Sequence, residues 1–294
     1  MRAIALALAL ILLLSVSNAQ NLTINILNYK GGAVSVQIFG ENFSINKTFQ
    51  NSSTTFPVKP GNYHVITIYN NLSIVKNVNV TNDTTLELSF EEMNDISSLF
   101  YLNRHVIVGR GEVVEIDVIY NPTEKFFRGD LEKTIPRDAK NLSILEFTGR
   151  LEDFSVIDNK VVYKNVVIPP NASIRAVYYY LLDSNEMTLS SELDTKQLVL
   201  FLPPDVNAIS DDLSFAGTRA LGSSTYNIYT ATNLSKGKTI EVKFERSEVK
   251  LEERQGGFNP FLIVGAVLIL AGVSLYVYSK KKEGKTEEKE DWEV

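Results

Sequence analysis

The chain has 294 residues, 29 Lys+Arg against 35 Asp+Glu for a net charge of −6, two histidines and no cysteine. Without cysteine there is no disulfide, no thiol nucleophile and no Cys-based zinc site, and two histidines are too few for a histidine-rich metal site. No basic stripe interrupts the acidic balance, which argues against nucleic acid as a partner.

Residues 1–19 read as a secretory signal peptide. Met1-Arg2 is a basic start, residues 3–14 are continuously apolar, and Ser17-Asn18-Ala19 places small residues where a signal peptidase reads. Cleavage after Ala19 leaves Gln20 as the new N-terminus. A secreted chain of this length with no cysteine points to a prokaryotic envelope, where a hydrophobic core holds the fold without covalent staples.

Residues 20–90 repeat a period of two. Leu22, Ile24 and Ile26 alternate with Thr23 and Asn25; Val34, Val36 and Ile38 alternate with Ser35 and Gln37; Leu86, Leu88 and Phe90 alternate with Glu87 and Ser89. Such alternation puts one face of each strand in a core and the other in water. Weaker strands are expected over 44–49, 54–58, 63–69 and 72–80, with turns at Lys30-Gly31-Gly32 and Pro60-Gly61. Seven short strands in about 70 residues is the spacing of a small sandwich.

Ten N-x-S/T sequons begin at Asn21, Asn42, Asn46, Asn51, Asn71, Asn79, Asn82, Asn141, Asn171 and Asn233, and seven of them fall between Asn21 and Thr84. They are candidate N-glycosylation sites and would make the first module a glycan-coated one. Turn and strand preferences of Asn and Thr are the competing explanation.

Residues 91–97 form an acidic break, read as a linker. From 98 to 246 strands resume. Val114, Ile116, Val118 and Tyr120 face one way, with Glu115 and Asp117 on the other. Further strands are expected at 161–168, ending at Pro169-Pro170, at Ile174 to Tyr180, and at Ile240 to Phe244. Residues 198–202 are continuously apolar and read as a strand buried on both faces. This region is either one large sandwich or two small ones meeting near residues 183–187.

Residues 247–257 read as a stalk and 258–279 as one transmembrane helix. Its apolar run, 261–278, holds no charge and spans roughly 27 Å as a helix, close to the hydrocarbon thickness of a bilayer. Gly265 and Gly272 share a face of that helix. Lys280, Lys281 and Lys282 mark the C-terminal side, and with it the charged tail 280–294, as cytoplasmic. The expected localisation is therefore the cell membrane, single-pass, with the N-terminal bulk outside.

Motifs for chemistry are sparse. Ser44 and Lys47 fit SxxK but sit in a strand pattern, whereas acyl enzymes need them on a helix. Gly109-Arg110-Gly111 lacks the third glycine and following helix of a nucleotide loop. Glu186, Glu192, Asp194, Asp211 and Asp212 are loop acids without the spacing of a calcium loop. In Tyr178-Tyr179-Tyr180 at least one face must be buried, so core tyrosines are expected there rather than a carbohydrate platform. No catalytic, cofactor-binding or metal set is assigned.

The stretches GGAVSVQIFG, VKPGNYHVITIY and VNVTNDTTLELSF resemble the PEGA and carboxypeptidase-regulatory-like modules of prokaryotic surface proteins, with Pro60, Gly61, Asn62 and Tyr63 in the family's turn. That resemblance implies a small transthyretin-like sandwich acting as a spacer or interaction module. RGEVVEIDVIYNPT and the later VVIPPNASIRAVYYYLL are similar to immunoglobulin-like modules of archaeal membrane proteins. Together they imply an all-β chain: tandem β-sandwiches, a small transthyretin-like module plus a larger immunoglobulin-like region, with one C-terminal transmembrane helix. The expected role is structural, adhesive or partner-binding at the cell envelope, without catalysis. The expected partners are the lipid bilayer and an envelope or membrane protein, with no small-molecule substrate and no cofactor. The alternative is an accessory subunit of a membrane transport or secretion complex, and behind it an envelope hydrolase.

Overall fold

A computed structural model describes residues 19–222 and 224–246 of the chain. The signal peptide expected over 1–19 (Ala19 apart), the stalk, the transmembrane segment and the tail lie outside the described residues. Among the described residues, no helix is long and apolar enough to cross a membrane. They are almost entirely strand, in five sheets, and contacts divide the chain into two units.

The first unit contains β1 (Gln20–Ile26), β2 (Val34–Gly40), β3 (Phe43–Phe49), β4 (Ser53–Val58), β5 (Gly61–Tyr69), β6 (Leu72–Val80) and β7 (Thr84–Leu88). These are the seven strands the alternation predicts. They form a sheet of order β4-β1-β7 and a second of order β3-β2-β5-β6. Strand β1 runs antiparallel to β4 and parallel to β7. The alternating apolar sets, such as Leu22, Ile24 and Ile26 on β1 and Val34, Val36 and Ile38 on β2, are buried together in one core. Gly31 and Gly32 make the first turn at φ +90° and +98°, angles that L side chains rarely adopt. Gly40 is required for a different reason: a Cβ there would meet the Tyr63 ring at 2.7 Å.

Two later segments, 121–129 and 167–172, also belong to this unit and add Phe126 and Val167 to its core. Phe126 stacks on Phe90 at 5.9 Å. Buried Asn121 ties the two segments together, its amide donating to the carbonyls of Lys125, Ile168 and Pro169. The acidic stretch read as a linker carries strand β8 (Glu92–Met93), paired in parallel with Phe126 and Phe127, and a 3-10 turn at Ile96–Ser98. Its acids are engaged: Glu91 with Lys125 and Glu92 with Arg128.

The second unit draws on β9 (Phe100–Val108), β10 (Glu112–Asn121), β11 (Phe126–Thr134), β12 (Ala139–Phe147), β13 (Asp153–Ile157), β14 (Lys160–Ile168) and β15 (Ala172–Leu182). It continues with β16 (Glu186–Ser190), β17 (Asp194–Leu202), β18 (Val206–Ile209), β19 (Ser214–Leu221), β20 (Ser224–Leu234) and β21 (Thr239–Arg246). Its largest sheet has the order β12-β15-β10-β9-β17-β20-β19. Its smaller sheet has the order β16-β21-β18, and the remaining sheet of the chain has the order β13-β14-β11-β8. Strand β17 runs parallel to β9 and antiparallel to β20. Residues 198–202 lie there buried on both faces, as their unbroken apolar run predicts.

Candidate functional site

In the central strands of the seven-stranded sheet the side chains split by parity. Ile107, Val114, Ile116, Val177, Val199 and Phe201 form an apolar cluster on one face. Glu115 and Asp117 point the opposite way, as the alternation predicts, but that face is buried too, and both carboxylates are 0% exposed. Register places Arg104 of β9 directly across from Asp117 of β10. Lys133 of β11, in a different sheet, completes a cluster of two cations and two anions.

Every charge in the cluster is paired. Arg104 Nη2 lies 2.7 Å from Glu115 Oε1, and its Nε lies 3.2 Å from Asp117 Oδ1. Lys133 Nζ bridges the same two carboxylates, touching Glu115 Oε1 and lying 3.0 Å from Asp117 Oδ2. Arg104 Nη1 donates to the Ser190 carbonyl at 2.7 Å and to Ser191 Oγ at 3.3 Å. Aromatic faces close the rest. The Arg104 guanidinium sits 5.0 Å from the Tyr101 ring centre, and Lys133 Nζ sits 5.7 Å from that of Tyr178. Tyr101 OH donates to Glu192, whose other oxygen accepts the Thr134 N–H.

Burial alone would push the Glu115 carboxyl up, but Lys133 and Arg104 outweigh it and hold it below the usual range. At Asp117 burial prevails, helped by the neighbouring Glu115 charge, and its carboxyl is raised. Burial would also lower Arg104 and Lys133, yet the two carboxylates hold both cations more firmly protonated than usual. An ionised cluster is electrically neutral. Loss of one member leaves a charge without its partner in a medium where that is expensive.

Of the residues singled out in the sequence, the Tyr178-Tyr179-Tyr180 run and Glu192 border the cluster, and the others fall elsewhere. Tyr178 and Tyr180 are core residues beside the cluster, while Tyr179 is part-exposed with its hydroxyl on Glu112. Ser44 and Lys47 lie three apart on β3, hence on opposite faces. Gly109-Arg110-Gly111 is the turn of the β9–β10 hairpin, closed by the Gly109 N–H on the Glu112 carbonyl. Of the five acids expected in loops, Glu186 and Asp194 instead open strands β16 and β17; Glu192 is engaged as above, Asp194 accepts the Lys236 N–H, and Asp212 pairs with Lys238. Among the described residues, no group of three or more His, Asp or Glu could hold a metal ion.

All ten sequon asparagines are exposed: Asn21, Asn42, Asn46, Asn51, Asn71, Asn79, Asn82, Asn141, Asn171 and Asn233. Four of them, Asn71, Asn141, Asn171 and Asn233, have φ between 51° and 62°. At those four a left-handed turn explains Asn without any glycan, because Asn tolerates that conformation better than most residues. The other six carry no such backbone demand.

One open groove of about 670 Å³ combines an apolar floor that includes Leu182, Val206 and Phe244 with Arg110 and Arg246.

Comparison with known proteins adds a relative and a weak fold likeness. No protein-family model matches the sequence. An uncharacterised protein of Archaeoglobus fulgidus is 24% identical over 250 residues, covering 85% of this chain and 86% of the relative. Among solved structures, an M1 zinc metallopeptidase from Deinococcus radiodurans aligns with a TM-score of 0.33 at 10% identity, over 50% of this chain and 42% of that one. A two-domain M1 zinc metallopeptidase mutant bound to L-tryptophan aligns at 0.32 and 9%, over 50% and 43%. The chain thus spans under half of those peptidases, and likeness at that level carries no argument about chemistry.

Proposed function

We propose that the chain is an archaeal envelope protein, held in the membrane by one C-terminal helix, that displays two β units outward to bind a structural or adhesive partner. Catalysis has no part in this reading. The observation that carries it is where the second unit puts its ionisable groups. The two carboxylates and two cations that could serve as acid, base or anchor are at most 2% exposed and saturated by one another. Such a cluster favours one arrangement of facing sheets and leaves recognition to the exposed strands and loops. In this reading the first unit is a PEGA-like, transthyretin-like spacer or interaction module. The second is an immunoglobulin-like platform near the membrane, and some of the ten exposed asparagines carry glycans. Localisation follows from the charge-free run 261–278 and the lysines after it.

The test is in-cell chemical cross-linking of the native protein followed by mass spectrometry of what is captured. Capture of surface-layer or cell-wall components through residues 20–90 supports the display reading. Capture of polytopic membrane proteins through the second unit alone replaces it with an accessory subunit of a membrane complex.

A further inference from the structure

The ion cluster of the second unit holds an amine and two carboxyls in contact. Lys133 Nζ touches Glu115 Oε1 and lies 3.0 Å from Asp117 Oδ2. The two carboxyls are not equivalent. Glu115 Oε1 accepts from both Arg104 Nη2 and Lys133 Nζ, and the Tyr180 hydroxyl meets its other oxygen at 3.5 Å. Asp117 Oδ1 accepts from Arg104 Nε at 3.2 Å, but Oδ2 accepts no hydrogen bond: the amine is near it and off the line that such a bond needs. All three side chains are buried, and the rings of Tyr101 and Tyr178 lie 5.9 and 5.7 Å from Nζ. A buried amine is thus held against an unsatisfied carboxyl, with a base touching the nitrogen and a cation on the far oxygen. Fixed reactants of this kind condense far more readily than the same groups free in water.

We infer that Lys133 and Asp117 join through an amide between Nζ and Cγ, a covalent bridge from β11 to β10 that forms with loss of water. The reaction starts from the ion pair. A proton passes from Lys133 Nζ to Asp117 Oδ2, which leaves an amine facing a neutral carboxyl and removes a charge pair from a buried site. Burial already raises the Asp117 carboxyl, so it is the member that takes the proton. The carboxylates keep Lys133 protonated most of the time, so the bond closes slowly, and until then the four groups stay together as the ion cluster. Nζ attacks Cγ, and the carbonyl π pair moves onto Oδ1, where Arg104 Nε stabilises it. Glu115 Oε1 takes a second proton from Nζ and returns it to Oδ2. The Cγ–Oδ2 bond then breaks, Oδ2 leaves as water and the double bond re-forms at Oδ1. Of the three ammonium protons, two leave in the water and one stays on the amide. Glu115 ends as it began and remains paired with Arg104, so no buried charge is left unmatched. The step is a single turnover on the chain's own side chains and consumes no substrate. It ties two facing sheets covalently in a chain without cysteine, and it does not depend on what the outer surfaces bind.

The test is trypsin digestion and mass spectrometry of the full-length chain purified from native membranes. The bond blocks cleavage after Lys133 and should give a branched peptide, residues 111–125 joined to 129–137, one water lighter than the two together. Fragmentation should place the branch on Asp117. Asp117→Asn should give a branched peptide of the same mass, because ammonia leaves in place of water. Glu115→Gln should slow its appearance in the folded chain by roughly a hundredfold or more. Recovery of 129–133 and 134–137 only as separate peptides from the unmodified chain overturns the inference, as does a branch on Glu115. An unslowed Glu115→Gln overturns the part given to Glu115. Should that variant not fold, the unmodified chain decides alone: the branched peptide supports the bond and its absence overturns it.

Discussion

The two units build their cores from the same alternating strands but fill them differently. In the first, the alternation separates apolar from polar, and the core described above is aliphatic and aromatic, with Thr67 and Asn121 its buried polar residues. In the second, the positions that should be the wet side of β10 carry Glu115 and Asp117 into a second buried layer. Alternation therefore tells which residues share a face, and an opposing sheet decides whether that face is wet. The first unit should respond to mutation as a hydrophobic sandwich, the second as an interlocked ion cluster.

The largest expected difference is at Lys133. Lys133→Met leaves two buried carboxylates facing one arginine and should cost about 3–5 kcal/mol. Calorimetry of the full chain should then show the transition of the second unit falling by roughly 10 °C, with that of the first unchanged. Replacing all four charges together (Arg104→Met, Glu115→Leu, Asp117→Leu, Lys133→Met) should restore most of that loss, because apolar groups of similar volume need no partners. If the fourfold variant is worse than Lys133→Met alone, the cluster holds more than its own charges.

A smaller effect separates the units by pH. Burial lowers the His105 pKa from 6.5 to about 4. The unfolded chain thus takes up a proton below pH 6.5 that the folded chain refuses until about pH 4. Stability from this group is full above 6.5 and falls as pH drops through that window, by roughly 3 kcal/mol. His105→Phe, which keeps a ring against Phe201, should flatten the acid side of the second unit's stability curve and leave the first unit's alone. Denaturant titrations at pH 7 and pH 4.5 measure it.

The sequons give the next step down. Asn233→Ala should cost about 1–2 kcal/mol because its φ is +54°, whereas Asn233→Gly should be near neutral. Asn42→Ala, at a position without positive φ, should cost little in either glycosylated or bare protein. Equal costs at both positions would remove the turn explanation. Smallest of all, Lys160→Met should leave the denaturation midpoint almost unchanged, since Lys160 and Glu132 are half exposed and water screens their pair.

The seven strands of the first unit were legible because their polar positions do reach solvent. The ion cluster was not. Glu115 and Asp117 look like any outward pair on a strand, and Lys133 sits in RGDLEKT between Glu132 and Thr134, where nothing local marks it as buried. One signal was available: Val113 shares a face with Glu115 and Asp117, so that face was never purely polar. Arg104 lies across from Asp117 through a hairpin whose turn, Gly109-Arg110-Gly111, was visible, but the register was not. The sequons were legible as a pattern. Their division into four turn positions and six unconstrained ones needed φ angles.

Orientation is what the proposed role depends on most. Protease added outside intact cells, followed by mass spectrometry of the remaining fragments, tests it directly. Outward display predicts loss of peptides from residues 20–257 with the tail 280–294 preserved. Survival of the β units with loss of the tail would contradict it.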